Sequence, residues 1–137
     1  MNRPPSRFDS PERGLLDSSV LIATDVAPLP GVLAISSASV AELHFGVLVA
    51  GSTDIRAERL RRLSFIQQHF DPLPIDDEVA LHYGRLAAAV VEAGRKPRGR
   101  VMDLLIAATA VAHDATLYTR NPDDFRGLEH FLPVVAV

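Results

Sequence analysis

Three carboxylates set inside apolar sequence restrict how this chain can fold. Asp17 interrupts Leu15-Leu16-Asp17-Ser18-Ser19-Val20-Leu21-Ile22, Glu42 is the single charge between Ser36 and Val49, and Asp103 opens Asp103-Leu104-Leu105-Ile106-Ala107-Ala108-Thr109-Ala110. A carboxylate in a low-dielectric interior is unfavourable unless a cation or strong donors meet it. A fold that accepts all three must supply such partners, and gathering the acids around a metal ion does so in one step. Taken singly, each has a plainer explanation. Asp17 could cap a helix that follows it, and Asp103 could be an acid favoured by a helix dipole. Glu42, alone in its apolar stretch, is the hardest to explain that way.

The 137 residues, 47% hydrophobic, suit one compact domain with a sizeable core. The absence of cysteine excludes disulfides, thiolate zinc sites and cysteine nucleophiles, and agrees with a reducing compartment. Met1 to Gly14 is polar and broken by proline, unlike a secretory signal. The longest apolar run, Leu104 to Ala112, falls short of the roughly 20 residues that a membrane span needs. A soluble cytoplasmic protein with no membrane partner is the expectation. The net charge of −3 is unusual for a nucleic-acid binder. Setting aside Asp17, Glu42, Asp103 and Asp124 as one site, however, leaves a surface that is about neutral. Its bases cluster at Arg56/Arg59/Arg61/Arg62 and at Arg95/Lys96/Arg98/Arg100.

Residues 1–13 read as a flexible arm and residues 14–137 as a single domain. Gly14 to Ile22 reads as a buried strand ending near Asp17, then a short helix capped by Ser18 or Ser19. Val32 to Ser36 is a second strand, and Ser37 or Ser39 caps a helix reaching about Ala50. Thr53 to Gln68 is a charged helix with an apolar stripe of Ile55, Leu63 and Ile66. Asp71-Pro72-Leu73-Pro74-Ile75 suits an edge strand. Asp76 to Glu92 is amphipathic, with Val79, Tyr83, Leu86 and Val90 on one face. Val101 to His113 is apolar on nearly all sides and belongs in the centre. Thr116 to Thr119 is a strand, Pro122 opens a helical turn, and Pro133 to Val137 is a last edge strand. Strands separated by helices predict an α/β fold: a parallel sheet of four or five strands covered on both faces.

Sites in such sheets form beyond the carboxyl ends of the strands, near the reversal of strand order. Asp17 ends the first strand, and Asn121 to Asp124 follow the Thr116–Thr119 strand. If those strands are neighbours, both groups share a rim, to which two helix N-termini would bring Glu42 and Asp103. An all-oxygen ligand set without nearby histidine or cysteine favours Mg²⁺ or Mn²⁺ over zinc. The histidines at 44, 69, 82, 113 and 130 show no metal-ligand spacing. Gly46 to Thr53 imitates a phosphate-binding loop but lacks its lysine and reads as helix. Ser18, Ser19 and Ser39 are expected as caps, with Ser19 and Thr119 also placed to orient water. The Arg56 to Arg62 helix reads as a solvated face. The basic loop before Asp103, carrying Arg95, Lys96, Arg98 and Arg100, could steer a polyanion into an acidic cleft.

Four segments together resemble the PIN-domain ribonucleases, particularly the toxin half of VapBC-type toxin–antitoxin modules. They are Leu15 to Ile22, Ser39-Val40-Ala41-Glu42-Leu43-His44-Phe45-Gly46, Asp103 to Ala110, and Leu117-Tyr118-Thr119-Arg120-Asn121-Pro122-Asp123-Asp124-Phe125. The resemblance implies a three-layer α/β/α fold and Mg²⁺- or Mn²⁺-dependent endonucleolytic cleavage of RNA by metal-activated water. It also implies homodimers and a cognate antitoxin whose tail crosses a groove near the early helices. By motif position, Asp17, Glu42 and Asp103 match the family's acids. The fourth position is open among Asn121, Asp123 and Asp124, since asparagine stands at 121 where an acid is common. That asparagine also leaves room for a PIN-like scaffold that binds RNA or a partner without cutting. A haloacid-dehalogenase-like phosphatase would need an acid at position 19, where serine stands. A receiver domain would need an acid pair and a late lysine, and the only lysine is Lys96.

Overall fold

The alternation of side chains along β1 decides the architecture. In the computed structural model, which describes residues 12–137, β1 (Arg13–Leu16) pairs in parallel with β2 (Val32–Ile35) and with β3 (Thr116–Thr119). β4 (Val134–Ala136) joins β3, giving the order β2-β1-β3-β4. Successive strand residues face opposite sides. Leu15, opposite Ala34 and Leu117, points to one side, and Leu16, opposite Ile35 and Tyr118, to the other. Each side has its own apolar cluster. The Leu15 side is covered by α4 (Asp77–Glu92) through Val79, Leu86 and Val90, and by α5 (Val101–Ala112) through Leu104, Ile106 and Ala107. The Leu16 side is covered by α1 (Ser18–Leu21) through Val20 and Leu21, and by α3 (Thr53–His69) through Ile66. α2 (Ser37–Leu48) sends Ala38 to the first cluster and Val40 and Leu43 to the second. The three-layer α/β/α arrangement follows from that double burial.

Several boundaries differ from the sequence-based expectation. The segment read as an arm lies outside the described residues up to position 11, whereas Arg13 already belongs to β1 and pairs with Val32. The cap of α2 sits one residue earlier than expected, and that of α1 is Asp17, one of the residues weighed for it. Asp17, not Ser18 or Ser19, caps α1 by accepting from the Val20 N–H, and Ser36, not Ser37 or Ser39, caps α2 by accepting from the Ala38 N–H. Both caps stand directly after the last residue of a strand, so the helix opens where the strand closes. The expected edge strand at Asp71 to Ile75 is reduced to a single bridge between Ser36 and Leu73. Pro72 and Pro74 flank Leu73 and have no N–H to extend a ladder. Ile55, expected on the buried stripe of α3, is 43% exposed, and only Leu63 and Ile66 of that helix are buried.

Gly14 lies inside β1 because its neighbour needs the space. A Cβ at Gly14 would stand 2.6 Å from Tyr118 Cε2 and 2.9 Å from Leu33 Cδ2. Tyr118 is buried and holds the strand that carries Thr119, so it cannot move freely. Gly14→Ala is expected to lower stability by roughly 1–3 kcal/mol, the usual cost of overpacking. Urea unfolding measures it, and an unchanged midpoint would mean that Tyr118 shifts without cost.

Candidate active site

Strand order reverses between β1 and β3, since the chain runs from β1 to β2 on one side and returns to β3 on the other. Asp17 stands at the β1 end of that crevice. Its N–H donates to the Tyr118 carbonyl at 3.1 Å, which keeps it beside the end of β3. The residue is 6% exposed. Oδ1 accepts from Ser19 Oγ at 2.5 Å and from the Val20 N–H at 3.3 Å, and Oδ2 accepts from Thr119 Oγ1 at 2.5 Å. The two hydroxyls are themselves oriented. The Arg120 N–H donates to Ser19 Oγ at 3.0 Å, and the Asn121 N–H donates to Thr119 Oγ1 at 2.9 Å. Each hydroxyl accepts from the backbone, so its single proton is free to point at Asp17. The buried carboxylate is thus met by three donors. Ser19 and Thr119, expected to orient water, each donate to one oxygen of Asp17.

Glu42 lies in the second turn of α2, half-buried, and its Oε1 accepts from Ser18 Oγ at 2.6 Å. Asp103 lies in the first turn of α5, a helix whose start has no side-chain cap. Its pKa is raised to about 6, first by burial and then by the negative charges of Asp124, Glu42 and Asp17, while Arg100 acts in the opposite sense. No hydrogen bond is among the causes. The charges of Asp124, Glu42 and Asp17 thus all reach Asp103.

The three candidates for the fourth position differ in their surroundings. Asp124, in the 3-10 turn Pro122–Phe125, is the largest charged influence on Asp103. Asp123 pairs with Arg126 at 3.0 Å, and Asn121, Asp123 and Asp124 are all exposed. Among the described residues, no three acidic or histidine side chains already stand close enough together to hold a metal ion. The acids are gathered at one rim but do not converge on a common point.

The basic loop divides in two. Arg100 Nη1 donates to the Asp124 carbonyl at 2.9 Å and Arg95 Nη1 to the Arg126 carbonyl at 3.4 Å, so both brace the turn that carries Asp124. Lys96 and Arg98 are exposed. Sequence reasoning missed two features. One is the Ser18 bond to Glu42, for which the tandem serines after Asp17 were the available signal. The other is a cleft of about 450 Å³ beside Glu42, walled by Ile22, Leu43, Ile55, Arg59 and Arg62. Arg59, expected on a solvated face, reaches back to donate to the Gly46 carbonyl at 2.7 Å.

With this geometry in view, the sequence profile of the PIN domain matches residues 14–130. The chain belongs to the PIN-domain family. Ribonuclease VapC5 of Mycobacterium tuberculosis is 40% identical over 126 residues, 88% of this chain and 90% of that protein. Ribonuclease VapC8 of the same species is 37% identical over 101 residues, 71% of this chain and 89% of that protein. Among solved structures, VapBC-5 of M. tuberculosis, described as a member of the VapBC family of toxin–antitoxin systems, superposes with a TM-score of 0.79. It is 39% identical, and the match covers 93% of this chain and 98% of that one. FitAcB of Neisseria gonorrhoeae superposes with a TM-score of 0.70 at 26% identity, covering 88% and 95% of the two chains. The four-stranded parallel sheet described above is therefore a PIN-domain sheet, and Asp17 stands at the crevice where that sheet reverses order. No helix of this PIN domain, among the described residues, is long and apolar enough to cross a membrane.

Proposed function

We propose that this PIN domain is a metal-dependent endoribonuclease, the toxin of a type II toxin–antitoxin pair, assembled as a homodimer and restrained by a cognate antitoxin. The relatives named as ribonucleases and the VapBC structures support the RNA substrate and the antitoxin. The observation that carries the metal reading is Asp103. Its carboxyl is pushed up to about 6 by burial and by three neighbouring acids, and a bound cation removes such a penalty. The donors are all oxygens, which fits Mg²⁺ with Mn²⁺ as a substitute.

In this reading Asp17, Glu42 and Asp103 hold the ion, with Asp124 as the fourth acid and Asn121 at the edge. What such an ion supplies when bound is a Lewis acid that makes water a better nucleophile and offsets charge on the phosphodiester. The protein's own part is orientation. Ser19 and Thr119 fix both oxygens of Asp17, leaving only their remaining lone pairs for a ligand. Arg100 and Arg95 hold the turn bearing Asp124. Exposed Lys96 and Arg98 draw the RNA backbone towards a rim that would otherwise repel it.

Purified protein is expected to cut RNA in Mg²⁺ or Mn²⁺, to lose that activity in EDTA, and to regain it when either ion is returned in excess. Binding of RNA without cutting, in either ion, would leave the scaffold reading in its place.

A further inference from the structure

The tandem serines after Asp17 point at different acids. Ser19 Oγ donates to Asp17 Oδ1 at 2.5 Å, while Ser18 Oγ donates to Glu42 Oε1 at 2.6 Å. The division follows from local geometry. Asp17 caps α1, which sets Ser18 as the first residue of that helix and Ser19 as the second. Adjacent helical positions point about 100° apart, so one hydroxyl turns back over the cap and the other outwards towards α2. Ser18 is half-buried and lines the cleft beside Glu42, so its hydroxyl stands at the edge of the site.

Glu42 has more freedom to lose than Asp17. Asp17 is buried and held by three donors, two on the following helix turn and one on the neighbouring strand. Glu42 has a longer side chain, is only half-buried, and is anchored by the one hydroxyl of Ser18. Without that bond its carboxylate would sample several rotamers, and a ligand would have to restrict it on binding. Hydrogen bonds that orient a metal-ligating carboxylate are worth about 10–100-fold in metal affinity or activity.

We infer that Ser18 is a positioning residue that pre-orients Glu42 for metal binding, separately from the Ser19 and Thr119 pair on Asp17. The inference rests on the metal-site reading above and deepens it. Its action runs through Glu42, with no contact to the scissile bond.

The experiment titrates Mn²⁺ into the metal-free full chain by calorimetry for wild type, Ser18→Ala and Ser18→Thr, alongside thermal melting and the kcat and KM for RNA cleavage. Ser18→Ala is expected to bind Mn²⁺ about 10-fold more weakly or worse, with kcat at subsaturating metal falling and KM for RNA unchanged. Ser18→Thr, which keeps the hydroxyl, is expected to stay within about 3-fold of wild type in metal affinity, well inside the effect of losing such a bond. Wild-type Mn²⁺ affinity in Ser18→Ala, with or without a lower melting temperature, overturns the inference and leaves the metal site standing. An equal loss in Ser18→Thr overturns it too, because the hydroxyl would not be what matters. A wild-type protein that binds no Mn²⁺ at all removes the metal-site reading and this inference together.

Discussion

Asparagine at position 103 is expected to abolish RNA cleavage and, in metal-free protein, to raise stability near neutral pH. The two effects share one cause. The Asp103 carboxyl has a folded-state pKa of about 6, against roughly 3.9 for an unstructured aspartate. Between those values the native protein holds more protons than the unfolded chain, so stability falls as pH rises through that window. Above about 6 the full cost of the ionised group is in place, and below about 4 it is gone. The amide of the Asp103→Asn variant carries no charge to desolvate or to repel Asp124, Glu42 and Asp17. Because Asp103 is partly open to water, a gain of only about 1–2 kcal/mol at pH 7 is expected once screening is allowed for.

Melting in EDTA from pH 4 to pH 8 checks this. Wild type should lose stability relative to Asp103→Asn across the window from about 4 to 6 and hold a constant deficit above it. A wild type more stable than the variant at pH 7 would show that a partner already offsets the charge. Activity moves the opposite way. A divalent ion competes with the proton for this carboxyl, so Mn²⁺ affinity and cleavage should both rise with pH through about 6 in wild type. In the asparagine variant, loss of the charge should lower kcat by about 10³-fold or more, near the upper range for removing one group that stabilises transition-state charge.

How far this site was legible without coordinates depends on what each residue's position is set by. The parallel sheet could be read because β1 and β3 are short apolar runs bounded by polar turns, and the segments between them repeat at helical spacing. The shared rim followed from adjacency of those two strands, which the register Leu15 to Leu117 bears out. The cap was left open at α1 and misplaced at α2 because several candidates flank each helix start, and choosing among them depends on where the strand stops. Asp17 and Ser36 are each the first residue after the last paired strand position, and pairing is a long-range property. The loss of the Asp71–Ile75 strand was within reach, since both prolines were in view. Leu73 still forms one bridge, with its N–H donating to the Ile35 carbonyl at 2.8 Å, because the two prolines leave that N–H intact. The role of Arg59 was out of reach, since its contact to Gly46 depends on how α3 packs on α2. For the Ser18 bond to Glu42, across 24 residues, the tandem serines marked a candidate donor, but its acceptor depends on how α1 packs against α2.

Asp17 should behave unlike Asp103, and the contrast is the sharper test of how the acids are held. Asp17→Asn and Asp17→Ala are both expected to remove cleavage, by about 10³-fold or more, through loss of the same kind of charge. Their effects on stability differ from each other and from Asp103→Asn. Asp17 is already compensated by Ser19, Thr119 and the Val20 N–H, so neutralising it relieves no repulsion comparable with that at Asp103. Asparagine keeps one carbonyl for the helix cap but turns an amide donor towards a hydroxyl whose proton then loses its acceptor. A cost of about 1–2 kcal/mol is expected, with the fold intact. Alanine removes the cap, at roughly 0.5–2 kcal/mol, and strands the hydroxyl protons of buried Thr119, at about 1–3 kcal/mol, and of half-buried Ser19, at less. A total near 3–5 kcal/mol should bring the protein close to unfolding at ambient temperature. Urea denaturation of the metal-free variants ranks them. The expected order is Asp103→Asn above wild type, then Asp17→Asn, then Asp17→Ala. Asp17→Asn more stable than wild type would mean that Asp17, like Asp103, waits for a cation, and that its three donors do not suffice.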